Sequence, residues 1–517
     1  MAHRKSPNRI AKERRVRHLE AVPPTAHVGA AAAPARIGRL NVAKLEADIA
    51  GHVVLPNDPQ YNADRQESNP AFQAYPQIIV YCAVETDVVK CVNAARDAGM
   101  WVAVRSGGHS TAGYSVNSGM VIDVSTLSYV VLDESRGIVT AGVGTDFDHF
   151  NMALDGTGWH VPTGACGNVC VGGFVQGGGY GYTSRAFGIQ SDCVLSFRVV
   201  LANGSVVNAS EIDNPDLFWA LRGGTGGNFG VVTQVTYRAV RLASVWAWAI
   251  SWDAEHAAEA LALLQSGYTS TCPHDALGYM MNLGFYKDRP VYMVQGMYCG
   301  PRDAGHAALR PLLDIPSAKL LVDKTGTYPQ MNNYLENEPY PLPYDMPDSP
   351  PSETKASYYI GRQLSRAEWQ SIVDYFNTAK NHWTMVYTEP YGGAINRYPV
   401  GASAFVHRNV DLNLVIDTVW IEEPDHVAAV EWLRGFKRVL APMVTGAVYQ
   451  NYPDASLSDY RMAYWGNATF ERLLTIKRRY DPDNFFVYAQ SIQPRVADAA
   501  LADQHPASHS VPAGTPG

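Results

Sequence analysis

The chain has 517 residues, of which 46% are hydrophobic and 17% charged, with a formal net charge of −8 at pH 7. Such a chain is globular and too long for one small core, so two or more lobes are expected. The negative balance argues against nucleic acid as a partner. No apolar run nears the roughly 20 residues of a membrane span, and seven scattered cysteines make no disulfide framework.

Residues 1–40 read as a basic, Ala- and Pro-rich leader without regular structure. Arg14 and Arg15 raise a twin-arginine export reading, but His18, Glu20, Pro23 and Pro24 interrupt the stretch that should be apolar. A cytoplasmic protein is the expectation and export the alternative. From residue 77 the chain reads as strand (QIIVYC), helix (TDVVKCVNAARDAG, from a Thr-type cap to Gly99), then strand (WVAVRS). GMVIDVS, YVVLD and GIVTAGVG follow as short strands, and Asn203-Gly204 joins two β-rich runs into a hairpin. NPDLFWALRGGTGGNFGVVTQVTYRAV reads as helix, glycine loop, strand.

After about residue 240 the strands lengthen and become aromatic: WAWAISWD, YMMNLGFY, VYMVQGMYCG and LNLVIDTVWIEE. Helices such as HAAEALALLQSG and DHVAAVEWLRGFKRVLAP lie between them, which predicts an α+β lobe with an antiparallel sheet. EPYPLPYDMPDSPPSE reads as an exposed Pro-rich loop. NATFERLLTIKRRY is a helix stopped at Asp481-Pro482, and residues 495–517 read as an unstructured tail.

Three glycine clusters carry the chemistry: RSGGHS (105–110), GACGNVCVGGFVQGGGYG (164–181) and LRGGTGGNFG (221–230). Glycine frees φ and bares N–H groups to an anion or a flat ring, so the clusters suggest a large phosphorylated cofactor across the first lobe. No dinucleotide GxGxxG stands in strand–turn–helix context, and no Walker lysine is present. Cys166 and Cys170 allow a reactive thiol, a disulfide or half a metal site; no His/Cys cluster flanks them, so no metal is expected. Cys82, Cys91, Cys193, Cys272 and Cys299 read as buried apolar fillers.

Together with YQNYPD and the C-terminal DPDNFF and QSIQP, these clusters resemble the berberine-bridge-enzyme-like flavin oxidases over roughly residues 55–494. The resemblance implies the α+β, two-lobed vanillyl-alcohol-oxidase (PCMH) type of fold. An FAD-binding domain would span 41–240 and a substrate domain with an antiparallel sheet 241–445. Residues 446–494 would return to the FAD domain with the catalytic tyrosine. It also implies FAD held covalently, by His109 at the flavin 8α carbon and by Cys166 at C6, while Cys170 stands where glycine is usual. From the first cluster Arg105, Ser106, Gly107, Gly108 and Ser110 would contact the cofactor. From the second these would be Thr163, Gly164, Gly172, Gly173, Gly177 and Gly181. Gly227, Val232, Tyr488 and Gln490 complete the set.

Neighbouring amides would favour the Cys166 thiolate that attack on a flavin needs. By the same resemblance Tyr452, the second tyrosine of YQNY, is the catalytic base. A free phenol titrates near 10 and needs help, which Glu389 of TEPYGG would give as the final proton acceptor. Tyr391 of the same motif, and Asn413 and Asp417 on one face of LNLVIDTVW, are substrate-pocket candidates. Phe174, where plant members often carry histidine, points away from plant-like alkaloid chemistry. The expected function is oxidation of an alcohol or hemiacetal carbon of a sugar, or of a glycosylated or hydroxylated natural product, with O2 as acceptor and H2O2 as product. The alternatives are an oxidative cyclase or C–C coupling enzyme, and a non-catalytic flavin-binding protein.

Overall fold

The computed structural model describes residues 36–269, 274–286, 289–337, 351–379, 381 and 383–493. The C-terminal tail, most of the leader and Cys272 lie outside these residues. Residues 36–40, counted with the leader from sequence, instead enter a small antiparallel pairing of Arg36–Ile37 with Leu40–Asn41.

The first lobe holds two sheets. In one, Ile78–Tyr81 and Val102–Arg105 flank Met120–Asp123 in parallel, with His52–Val54 antiparallel at the edge. Every residue of Ile78–Tyr81 and Met120–Asp123 is buried, as unbroken apolar runs covered on both faces should be. The connecting helix is Glu85–Ala98 and is capped from Val84, not from Thr86. Asp87 explains the earlier start, because its carboxylate accepts from Ala83 N at 3.0 Å and Val84 N at 3.3 Å. It also accepts from Ala50 N and Gly51 N at 2.9 and 3.0 Å, tying the preceding loop to the helix start. The other sheet is antiparallel, in the order 206–210, 194–200, 231–238, 138–142, 130–133. Its hairpin turns at Gly204 with φ +79, a conformation that side chains resist.

The second lobe is a seven-stranded antiparallel sheet in the order 319–326, 245–252, 289–298, 277–286, 385–390, 412–420, 352–360. Period-two alternation divides its faces. Leu412, Leu414 and Ile416 join Val386, Ala356 and Ile360 in a core with the helices Ala254–Tyr268, Arg366–Phe376 and Glu423–Leu440. The intervening Asn413 and Asp417, with Tyr387, Glu389, Glu353 and Lys355, take the opposite face, turned toward the first lobe. Most of the Pro-rich segment lies outside the described residues. Its last two residues, Ser352 and Glu353, are not an exposed loop but open the strand Ser352–Ile360.

The chain then returns. The helix Tyr460–Tyr480 places Tyr464, Trp465 and Leu473 in the first lobe's core and ends at Asp481. Near its end Lys477 donates to Asn228 O at 2.6 Å, Phe486 O at 2.7 Å and Asp481 Oδ2 at 2.5 Å, which fixes the third glycine loop. Among the described residues no helix is long and apolar enough to cross a membrane, and no His/Cys/Asp/Glu group fit for a metal ion occurs.

Candidate active site

A cavity of about 1850 Å3 runs between the lobes and takes residues from both. Small-ligand pockets hold roughly 300–1,000 Å3, so this one has room for a large cofactor and a substrate together. From the first lobe it is lined by Arg105, Ser106, Gly107, Gly108, His109 and Ser110, then by Gly164, Cys166, Gly172 and Gly173. Gly227, Val232, Tyr488 and Gln490 also line it. Gly108 holds φ +71, which lets the backbone turn under the wall without a side chain.

Thr163, Gly177 and Gly181 are not on this wall. A Cβ at Gly181 would stand 1.8 Å from Thr163 O, and one at Gly177 would stand 1.8 Å from Asn451 Oδ1. These glycines are required by close packing behind the cavity. The Thr163 hydroxyl is spent on Asn151 Oδ1 at 3.1 Å.

Buried polar atoms on the wall without a hydrogen-bonding partner among the described residues include Arg105 Nη1, Tyr114 OH and Gln176 Oε1. A Cβ at Gly173 would meet nothing within 4 Å. Unspent donors and acceptors beside bare backbone fit a polar, ring-bearing group such as FAD.

The two cysteines of the second cluster differ. Cys166 is open to the cavity, whereas Cys170 is buried against Gly107 and donates from Sγ to Gly144 O at 3.3 Å. The surroundings of Cys166 oppose the thiolate that the glycine loop was expected to favour. Although the side chain opens onto the cavity, desolvation by the surrounding walls, and then the nearby Glu336, push its thiol up to about 12. The next amide, Gly167 N, is already given to the Glu336 carboxylate at 3.1 and 3.2 Å.

Tyr452 and Glu389 face each other across the lobes. The phenol donates to Glu389 Oε1 at 2.6 Å, and Asn413 Nδ2 donates to Oε2 at 3.0 Å. Each residue of the YQNY motif fixes this geometry. The Tyr449 ring stands edge-on to Tyr452 at 5.2 Å and 90°. Gln450 Nε2 donates to Gly223 O at 3.0 Å, and Asn451 Nδ2 to Phe174 O at 2.9 Å. Burial raises Glu389 to about 7 against the lowering effect of the Tyr452 and Asn413 hydrogen bonds. Burial and then the Glu389 charge hold the Tyr452 phenol well above its usual value.

Of the substrate-pocket candidates only Asp417 lines the cavity. Asn413 is fully buried and reaches the site through Glu389, its cross-strand partner. Tyr391 is a correction: its ring is fully buried behind Glu389 and its hydroxyl pairs with that of Tyr359 at 2.9 Å. Sequence reasoning passed over Glu353 and Lys355, which stand beside Asp417 on the same face. Their alternation in SETKASYYI was the available signal, hidden by the prolines before it.

Comparison with known proteins agrees with this architecture. An FAD-binding-domain model matches residues 76–210, and a berberine and berberine-like model matches residues 448–493. The FAD-linked oxidoreductase YvdP of Bacillus subtilis is 31% identical over 462 residues, covering 86% of this chain and 98% of its own. The chain belongs to the berberine-bridge-enzyme-like FAD-linked oxidoreductases. Xylooligosaccharide oxidase of Thermothelomyces thermophilus is 27% identical over 471 residues, covering 86% of this chain and 92% of its own. The solved glucooligosaccharide oxidase of Acremonium strictum superposes with a TM-score of 0.78 at 22% identity, covering 88% of this chain and 99% of its own. That protein is described with a 6-S-cysteinyl, 8α-N1-histidyl FAD. As a family member this protein is an FAD-dependent oxidoreductase.

Proposed function

We propose that this oxidoreductase oxidises an alcohol or hemiacetal carbon of a sugar, or of a glycosylated or hydroxylated metabolite, with FAD tethered at His109 and Cys166 and O2 as acceptor. The observation that carries this reading is the 2.6 Å hydrogen bond from Tyr452 to Glu389 in the cavity wall, a proton path already assembled. The oligosaccharide oxidases among its relatives support the substrate class.

Bound FAD would supply the hydride acceptor and the two-electron route to O2 that yields H2O2. The chain's own part is to place the substrate and move one proton. The substrate hydroxyl donates to the Tyr452 oxygen as Tyr452 hands its own proton to Glu389 Oε1. No free phenolate accumulates, because burial and the neighbouring charge make it costly. Asn413 holds the second carboxylate oxygen, so Glu389 keeps one orientation through the transfer.

Anaerobic flavin reduction against a panel of sugars and glycosylated metabolites tests the reading. Tyr452→Phe should slow reduction by a true substrate roughly 10²–10⁴-fold. An unchanged rate would overturn the proton assignment, and no reduction by any carbohydrate-bearing compound would overturn the substrate class.

A further inference from the structure

Four carboxylates of the second lobe line the cavity, Glu336, Glu353, Glu389 and Asp417, whereas Lys355 is the only cation that the described residues of that lobe bring to it. Two of the four are already engaged. Glu336 accepts from Gly167 N, and Glu389 from Tyr452 and Asn413. Glu353 and Asp417 are left to share one ammonium. Lys355 lies 3.0 Å from Asp417 Oδ2 and 3.9 Å from Glu353 Oε2.

The account of donors does not close. Asp417 is 9% exposed, yet its Oδ1 receives no donor from the described residues unless Glu353 itself carries a proton. Burial and then the Asp417 charge push Glu353 up to about 7, so either a shared proton or a ligand's ammonium completes the pair. Meanwhile Asp417 and Glu353 outweigh the burial of Lys355 and keep it charged. The backbone of Glu353 is clamped by Asn69 of the first lobe, whose Nδ2 donates to Glu353 O at 2.9 Å and whose Oδ1 accepts from Glu353 N at 3.2 Å, while its side chain stays 24% exposed on the cavity side. Trp383 and Tyr387 line the same cavity, and aromatic faces attract cations.

Register sets the distance from the chemistry. Lys355 pairs with Asp417 and Asp417 with Met385, while Glu389 pairs with Asn413, four residues along the strand. At about 3.3 Å per residue that is roughly 13 Å. The side chains close much of that distance, since Lys355 Nζ stands 5.4 Å from the centre of the Tyr452 ring, so a group bound at the triad lies beside the reacting carbon.

We propose that Glu353, Lys355 and Asp417 form a subsite for an ammonium group that the substrate carries near the carbon being oxidised, which rests on the oxidase reading above and narrows its substrate class to amino sugars and amine-bearing glycosides. The bound ammonium donates to Asp417 Oδ1 and Glu353 in place of the proton they would otherwise share, and Lys355 bridges the two carboxylates.

The test uses the flavin-loaded protein under anaerobic conditions with three probes: the disaccharide of glucosamine, its N-acetylated form, and cellobiose. The amine disaccharide is expected to reduce the flavin with a KM about ten-fold or more below that of cellobiose, and the N-acetylated form to resemble cellobiose. In Glu353→Gln, which keeps the shape and the Asn69 clamp, that KM ratio should fall to near one. Equal KM values for amine and cellobiose, or an unchanged ratio in Glu353→Gln, would overturn the subsite. If none of the three reduces the flavin, the oxidase reading is judged separately by the wider panel above. Equilibrium binding of the same probes, read from the flavin absorbance, then decides the subsite by whether the amine binds tighter than cellobiose.

Discussion

Glu389 needs its proton off before it can receive another. With the group pushed up to about 7, its carboxylate form accumulates as pH rises through that value. kcat/KM should therefore climb about ten-fold per pH unit below 7 and level above it. Glu389→Gln should flatten that limb and lower the plateau, read from the initial rate of flavin reduction across pH 5 to 9. The thiol at Cys166 has the same sign of dependence over a wider span. Its raised value of about 12 means the thiolate fraction grows throughout the stable pH range, so thioether formation should quicken with each step upward. Denatured protein should retain flavin through one bond in Cys166→Ala or His109→Ala and through two in Cys170→Ala, since the Cys170 thiol is buried and given to Gly144 O. Retention of both bonds in Cys166→Ala would reverse the assignment. The Tyr452–Glu389 pair was legible in sequence because YQNY and TEPYGG are contiguous motifs. Glu353 and Lys355 were not, because their meeting with Asp417 depends on strand register across some sixty residues, which no local pattern encodes.

The clearest element-scale case is the helix Glu85–Ala98. The sequence marks its end at Gly99 but misleads at its start, where a Thr-type cap is outcompeted by the more versatile Asp87. One carboxylate there satisfies four backbone N–H groups, two of its own helix start and two of the loop at residues 50–51. Asp87→Ala should cost about 2–4 kcal/mol, because it leaves several amides buried without acceptors. Thermal melting should show the loss, with Asp87→Asn recovering part of it. The antiparallel sheet was foreseeable from its long aromatic strands, and the hairpin from Asn203-Gly204. The order of its seven strands was not, since non-local pairing leaves no trace in periodicity.

Both lobes contribute walls to one cavity, so a ligand within it belongs to neither alone. Anything that binds the closed arrangement and not the unfolded chain stabilises the whole by mass action. In a His109→Ala/Cys166→Ala double variant, FAD at 100 times its Kd should add about 2.7 kcal/mol. Slowed hydrogen exchange should appear in strands of both sheets, including 78–81 and 412–420. Protection confined to the first lobe would show that the cavity closes without the flavin's help.

Glu336 sits on the helix Tyr328–Asn337 of the second lobe, yet it grips the amide of Gly167, the residue after Cys166. If Cys166 is the tether proposed above, its loop takes its final shape only once that distant helix has arrived. The bond to flavin then becomes a timestamp of maturation: it is written last, and a chain that carries it has finished folding at both ends of the cavity.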